Sequence, residues 1–577
     1  MKKINIQDID LNSLEVILDK AGRWVDGVNH GRKVLRDTEN YYKIFDKEYC
    51  RRENFVQTYE AGFFEGLSPA FKSLIVDGDD IVGYVSEAGT PLGSEFDKIP
   101  KEFYERILSR AKETKMFFYD LVASNIILTK GGELSLIDLE SVYPIDILYK
   151  IELSHNAIVK PDFYFNDLEK IWKDNIKPIS FIQPSRNNLK YLKWSYESIR
   201  KNLSPIHEIC WADDFSDDGT WEWMNEIKEK DPNVKIHRNE GPNRLGHTIL
   251  YDTLVNDYAT NDIVMIYHAD MYACPGMDEG VMKYLEPGVV VSATRIEPPL
   301  HPDGPEKILE DFGIEPEEFD EKGLIKFVEE YEREFEASTG IFAPWAMYKK
   351  DFQEINGHDP LYAPQSKEDS DIFNRFVLND YKLVQTWEGF VYHMTSRGSR
   401  FKDGAMRNPA GQVFMKGRES SEWLEQNQRS TRNFIRKWGH MVKHDIFMRP
   451  IIPPKYNVGF VVENCTTDML RELEPWCSDI YGDWVGHKGY GVNDYIKEEQ
   501  PNTQFDLTNK IHSQHIPPKN DVIVKFDCNK LNSSNFQILV ELSSILKESG
   551  EVGEMEFEIF KFSIQSLETY EKDLIKV

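Results

Sequence analysis

Three apolar runs restrict what the middle of the chain can become. PISFIQP (178–184), EICWA (208–212) and DIVMIYH (262–268) are short, largely hydrophobic and bounded by polar turns. Runs of this length read as buried strands. Helical patterns fall between them, so strand and helix alternate from about 176 to about 400. That alternation calls for an α/β domain built on a mostly parallel sheet. In such sheets ligands collect outside the carboxyl ends of the strands. The residues that follow each run are therefore the ones to read for chemistry.

The first run closes on Pro184 and Arg186. The second delivers Asp213 and Asp214 into the polar turn DDFSDDGT, where Asp218 or Thr220 can cap the helix WEWMNEIKEK. Turn and cap chemistry accounts for some of these acids. EGPNRLGH then supplies Arg244 ahead of a helix expected over 245–258. The third run ends on His268-Ala269-Asp270, just before Pro275. Farther on, residues 338–376 hold Gly340, Gly357, Glu368, Asp369, Asp371 and Arg375. An acidic helix start explains two of these acids, because negative charge is favourable there. GFVYHMTSRGSRFKDG ends one more strand at His393, with Arg397, Arg400 and Lys402 beyond it.

In combination these segments resemble family 2 glycosyltransferases of the GT-A fold, and 338–376 resembles the C-terminal part of GT-A galactosyltransferases; the likeness covers about 176–400. The resemblance implies a Rossmann-like mixed sheet that moves a sugar from a UDP- or GDP-sugar to a glycan or other hydroxyl acceptor. Donor binding would fall to Pro184, Arg186, Asp213, Asp214, Arg244, His268, Glu368, Arg397 and Arg400. The family's Asp-X-Asp holds Mn2+ or Mg2+ on the diphosphate. Here it reads His-Ala-Asp, which leaves Asp270 as the metal carboxylate and His393 as its helper. His268 either touches the nucleotide or fills the strand end. For inverting transfer Asp369 is the expected base and Asp371 the second choice.

Residues 1–155 carry another constellation. Asp120 and Asn125 have the D-x-x-x-x-N spacing of a kinase catalytic loop, and a hairpin turned at Gly131-Gly132 leads to Asp138. Lys43 sits on an upstream strand, with Glu53 or Glu60 as its expected helix partner. The region resembles lipopolysaccharide-kinase-like and aminoglycoside-phosphotransferase-like folds, which implies an ATP site. No GxGxxG loop precedes Lys43, so a scaffold and an active sugar kinase both remain open. A non-catalytic nucleotide- or glycan-binding protein is the third reading.

Composition closes several other routes. With 69 basic and 98 acidic residues the net charge is −29, which repels a nucleic-acid backbone. The six cysteines form no CxxC pair, which argues against a zinc knuckle and suits free thiols in a reducing cytosol. No stretch reaches the length of a membrane span, and a cytoplasmic chain is expected. Beyond the central region a helical extension is expected at 401–450. MRPIIPPKYN reads as a linker, and 455–577 as an α/β domain with no catalytic cluster.

Overall fold

A computed structural model describes residues 2–25, 27–93, 98–148, 162–395, 405–415, 420–484 and 491–577. The chain divides into two compact units, Met1–Ile176 and Lys177–Val577. The expected boundary near 155 lies outside the described residues. The helix Asp162–Lys173 belongs to the first unit, where Tyr164 donates to the Phe118 carbonyl at 2.9 Å.

The first unit is built on a six-stranded sheet. Its order is Lys2–Asn5, Phe71–Asp77, Asp80–Glu87, Asn40–Phe45, Arg32–Arg36 and Glu15–Asp19. One face buries an aromatic cluster: Phe55 lies 5.0 Å from Tyr84 and 5.5 Å from Phe45, ring centre to ring centre. The hairpin Ile126–Leu128 with Leu134–Leu136 forms as expected from its glycine pair, Gly132 taking the left-handed φ of 82°.

The second unit contains a ten-stranded mixed sheet. Four strands run parallel in the order Val234–Asn239, Glu208–Asp214, Ile179–Ser185 and Ile263–Ile266. Pro184 costs this ladder little. Pairing to Ile263–Ile266 has ended at Ile182, so on that side its missing N–H would have no partner. The sheet continues through Trp345–Tyr348, Val289–Glu297, Lys382–His393 and Met271–Ala273. Trp345–Tyr348 is antiparallel to both of its neighbours, which makes the sheet mixed rather than mostly parallel. Within Lys382–His393 the register slips. Ala293 faces Thr386 but Thr294 faces Phe390, so Trp387, Glu388 and Gly389 bulge out. Lys283 and Tyr284 hold that bulge by Glu388, at 3.0 and 2.7 Å.

The amphipathic pattern after 417 forms the helix Ser421–Trp438, capped by Ser420 and ended by Gly439. It packs within the second unit. Arg436 is wholly buried between Glu474 and Glu499, at 2.6 and 2.8 Å. Residues beyond 455 form a second sheet, in the order Ile511–Ser513, Asp479–Gly482, Val458–Glu463, Val522–Asp527, Phe560–Ile564 and Gly553–Phe557. Among the described residues no helix is long and apolar enough to cross a membrane.

Candidate active site

A cavity of about 290 Å³ opens at the carboxyl edge of the parallel strands. Pro184, Arg186, Asp214, Arg244, His268, Asp270 and His393 all line it. Strand pairing explains why distant positions meet. Met271 faces His393 across an antiparallel ladder, so Asp270 arrives beside that histidine. On the other side of the same strand Ile296 faces Tyr392, and the next step brings Glu297 beside His393.

One ligand atom from each of His268, Asp270 and His393 falls within 4.8 Å of the others. His393 Nε2 is 3.3 Å from Asp270 Oδ1, and its Nδ1 is 2.8 Å from Glu297 Oε1. A carboxylate can only accept, so Nδ1 carries a proton; Nε2 faces Asp270, and although burial opposes it, Asp270 and then Glu297 raise the His393 pKa. Burial, reinforced by the charge of His393, lowers the His268 pKa to about 3 and keeps that imidazole neutral. Two imidazole nitrogens and one carboxylate are a sound donor set for a divalent cation. His268 thus stands with the two residues that could hold a cation, whereas the sequence offered it only as a nucleotide contact or a filler of the strand end.

The first acid pair is busier than expected. Asp214 accepts from the backbone N–H of Leu245 at 3.0 Å and Gly246 at 2.9 Å, and from Asn239 at 2.7 Å. It clamps the loop that carries Arg244, whose Nε lies 3.6 Å away. Asp213 is fully buried behind the cavity, near Arg238, and burial raises its pKa. Arg186 Nε and Ser185 Oγ are buried with no hydrogen-bond partner among the described residues. The helix expected from 245 starts at His247. Gly246 precedes it at φ 80°, where an added Cβ would come within 2.1 Å of the Pro364 carbonyl.

His247, which sequence reasoning missed, lines the cavity and bonds Glu368 Oε1 at 2.6 Å. Glu368 begins the helix Glu368–Leu378. Its Oε2 is buried without a hydrogen-bond partner among the described residues. Next to it, Asp369 is half-buried, and among the described residues no hydrogen bond or ion pair holds its carboxylate. Burial, then the charge of Glu368, raises the Asp369 pKa to about 6. Tyr251 joins the two halves of the site. It is fully buried, and after burial itself the charges of Asp369, Glu368 and Asp270 keep its phenol protonated.

Asp371 differs from the expectation of a second candidate base. It is fully buried, with Lys437 at 2.7 Å, Arg375 at 2.8 Å and the Trp438 indole N–H at 2.9 Å. Those cations hold its pKa below the usual carboxylate range despite burial. Its oxygens face this network, which ties the helix down. Arg397 and Arg400, with Lys402, lie outside the described residues.

In the first unit Lys43 does not meet Glu53 or Glu60, which are exposed on the helix Arg52–Glu60. Its ammonium binds Asp138 and, at 2.9 Å, Glu140, which Arg32 also holds at 2.9 Å. Asp138 sits at φ 62°. Asn125 donates to the Asp120 carbonyl at 2.9 Å.

Residues 180–355 match the family described as glycosyl transferase family 2. The segment is a family 2 glycosyltransferase domain. Among solved structures this domain-bearing chain is similar to GalNAc-T7 with UDP, GalNAc and Mn2+, at 17% identity and a TM-score of 0.30, over 38% of this chain and 43% of that one. It is also similar to the mannosyltransferase PcManGT of Pyrobaculum calidifontis with GDP-Man and Mn2+, at 16% identity and a TM-score of 0.28, over 43% and 64%. A third is S. aureus TarS 1-349 with UDP, at 13% identity and a TM-score of 0.28, over 37% and 60%. The chain spans less than two thirds of each of these structures. No curated protein matches it.

Proposed function

We propose that the protein is a metal-dependent, inverting glycosyltransferase that takes a UDP- or GDP-sugar as donor and a glycan or other hydroxyl compound as acceptor. The observation that carries this reading is the meeting of His268, Asp270 and His393 in one cavity at the strand ends of a family 2 domain. Asp270 and His393, with His268, would hold Mn2+ or Mg2+, and two imidazole donors favour Mn2+. Such a cation, when bound, neutralises the diphosphate of the donor. Arg186 and Arg244 face the same cavity and supply positive charge to the phosphates. Asp369 accepts the proton of the acceptor hydroxyl as its oxygen attacks the anomeric carbon opposite the leaving diphosphate. Its raised pKa makes it a stronger base than an ordinary aspartate, and its carboxylate is free to take the proton. Residues 176–400 would form the catalytic domain, 401–450 an extension and 455–577 a supporting α/β domain.

For residues 1–155 we propose a kinase-like scaffold rather than an active kinase. The observation favouring it is that Glu140 and Asp138 together occupy Lys43, the cation that would otherwise brace a phosphate.

The test of the main reading is a screen of nucleotide-sugars for hydrolysis with and without Mn2+. One donor should be hydrolysed only with the metal, and Asp270→Ala should abolish both hydrolysis and Mn2+-dependent binding of UDP or GDP. Metal-independent binding that survives Asp270→Ala would count against the site.

A further inference from the structure

We infer that Glu297, which no catalytic motif points to, is the positioning residue of the metal centre and sets which nitrogen of His393 is offered to the cation. The inference rests on the metal reading proposed above. Glu297 ends its strand with about 1% of its surface exposed. An isolated carboxylate that deep is costly unless it is paired. Its pairing is unusually complete. Arg295 Nε lies 3.2 Å from Oε1 and Lys307 Nζ 3.3 Å from Oε2. Both cations also reach Glu306, at 3.2 and 3.5 Å, which closes a quartet with no net charge.

A Glu297 carboxylate held between Arg295 and Lys307 can only accept at His393 Nδ1, so a proton stays there. Nε2, 3.3 Å from Asp270, is then the nitrogen left to the ligand cluster, where a bound cation would replace the proton it shares with that carboxylate. Histidine metal ligands need this arrangement, since the outer partner fixes both tautomer and ring orientation. The parallel register supplies it without a loop: Glu297 and His393 each follow directly on the paired residues Ile296 and Tyr392, so the backbone sets their spacing. If Glu297 were merely a core ion pair, losing its charge would change stability and leave the imidazole as it was. As a positioning residue it should change the tautomer and the affinity for the cation.

Titrating the full-length chain with Mn2+ in the presence of UDP or GDP, and following free Mn2+ by electron paramagnetic resonance, separates these. Wild type should bind, Asp270→Ala should not, and Glu297→Gln should bind about 10- to 100-fold more weakly. The glutamine amide can present N–H to Nδ1, which moves the histidine proton to Nε2. Co2+ substituted for Mn2+ should show an altered visible spectrum in Glu297→Gln, because an imidazole donor is lost or displaced. Equal Mn2+ affinity in Glu297→Gln and wild type would overturn the inference and leave the metal reading intact. No Mn2+ binding by wild type would overturn both. The 15N-histidine spectrum of the wild-type chain with Mg2+ and UDP or GDP needs no variant to fold: it should show His393 protonated at Nδ1 only, and a proton at Nε2 only would refute the positioning role.

Discussion

At Asp369 burial and neighbouring charge act in the same direction, and that has two measurable effects. Its pKa of about 6 means that the base is half ionised near pH 6. The acid limb of kcat/KM should therefore fall with an apparent pKa near 6 rather than near 4, and Asp369→Asn should lower turnover by about two to four orders of magnitude with donor binding retained. The second effect is on stability. A folded-state pKa raised above the unfolded value means that the folded protein holds the proton more tightly. Stability from this group is present at low pH and is lost as pH rises through about 6. Above that pH the ionised carboxylate costs up to about 3 kcal/mol. Asp369→Asn should then raise the melting temperature more at pH 8 than at pH 4. An equal change at both would mean that Asp369 is not held in the environment described.

Among the elements, the helix Glu368–Leu378 carries the candidate base, and its anchoring is indirect. Arg375, buried within it, donates to the carbonyls of Ile355 and Gly357 at 2.8 and 2.6 Å. Lys437, from the helix Ser421–Trp438, bridges Asp371 and Asp359, each at 2.7 Å. Removing one partner of a buried ion pair leaves the other charges uncompensated, at about 3–5 kcal/mol. Lys437→Met should lower the unfolding free energy by that much in denaturant titration and lower kcat through Asp369. A fully stable Lys437→Met would show that the helix is fixed by other means. This coupling was not legible in the sequence. Asp270, His393 and Asp369 could be picked out because the family resemblance supplied their roles, and each also stands at a local landmark, the end of an apolar run or the start of an acidic helix. Lys437 and Asp371 lie 66 positions apart in the numbering and join through tertiary packing. His247 and Glu297 were missed for the same reason: one follows a glycine turn, the other ends an ordinary strand. Lys43 shows the error in the opposite sense. The helix partner suggested by its spacing is exposed, and a carboxylate two residues beyond Asp138 takes its place.

For the whole molecule, the division into Met1–Ile176 and Lys177–Val577 suggests that each unit, with its own buried core, folds by itself. A 1–176 fragment should show a cooperative thermal transition and weak or absent Mg2+-ATP binding, while 177–577 should retain Mn2+-dependent donor hydrolysis. Tight ATP binding by the fragment, with phosphoryl transfer that stops in Asp120→Asn, would make the protein bifunctional instead. Inside the larger unit, the bulge at Trp387–Gly389 works as an expansion joint. It splits Lys382–His393 into two reading frames, one keyed to the core through Val289–Ala293 and one keyed to the site through Thr294–Ile296 and Met271–Ala273. A residue gained or lost before the joint is taken up there as slack, and the geometry around His393 is spared. The same change between Phe390 and His393 has no slack to draw on and turns the imidazole to the opposite side of the sheet. Within one strand, the core is thus free to drift in sequence length while the chemistry stays in phase.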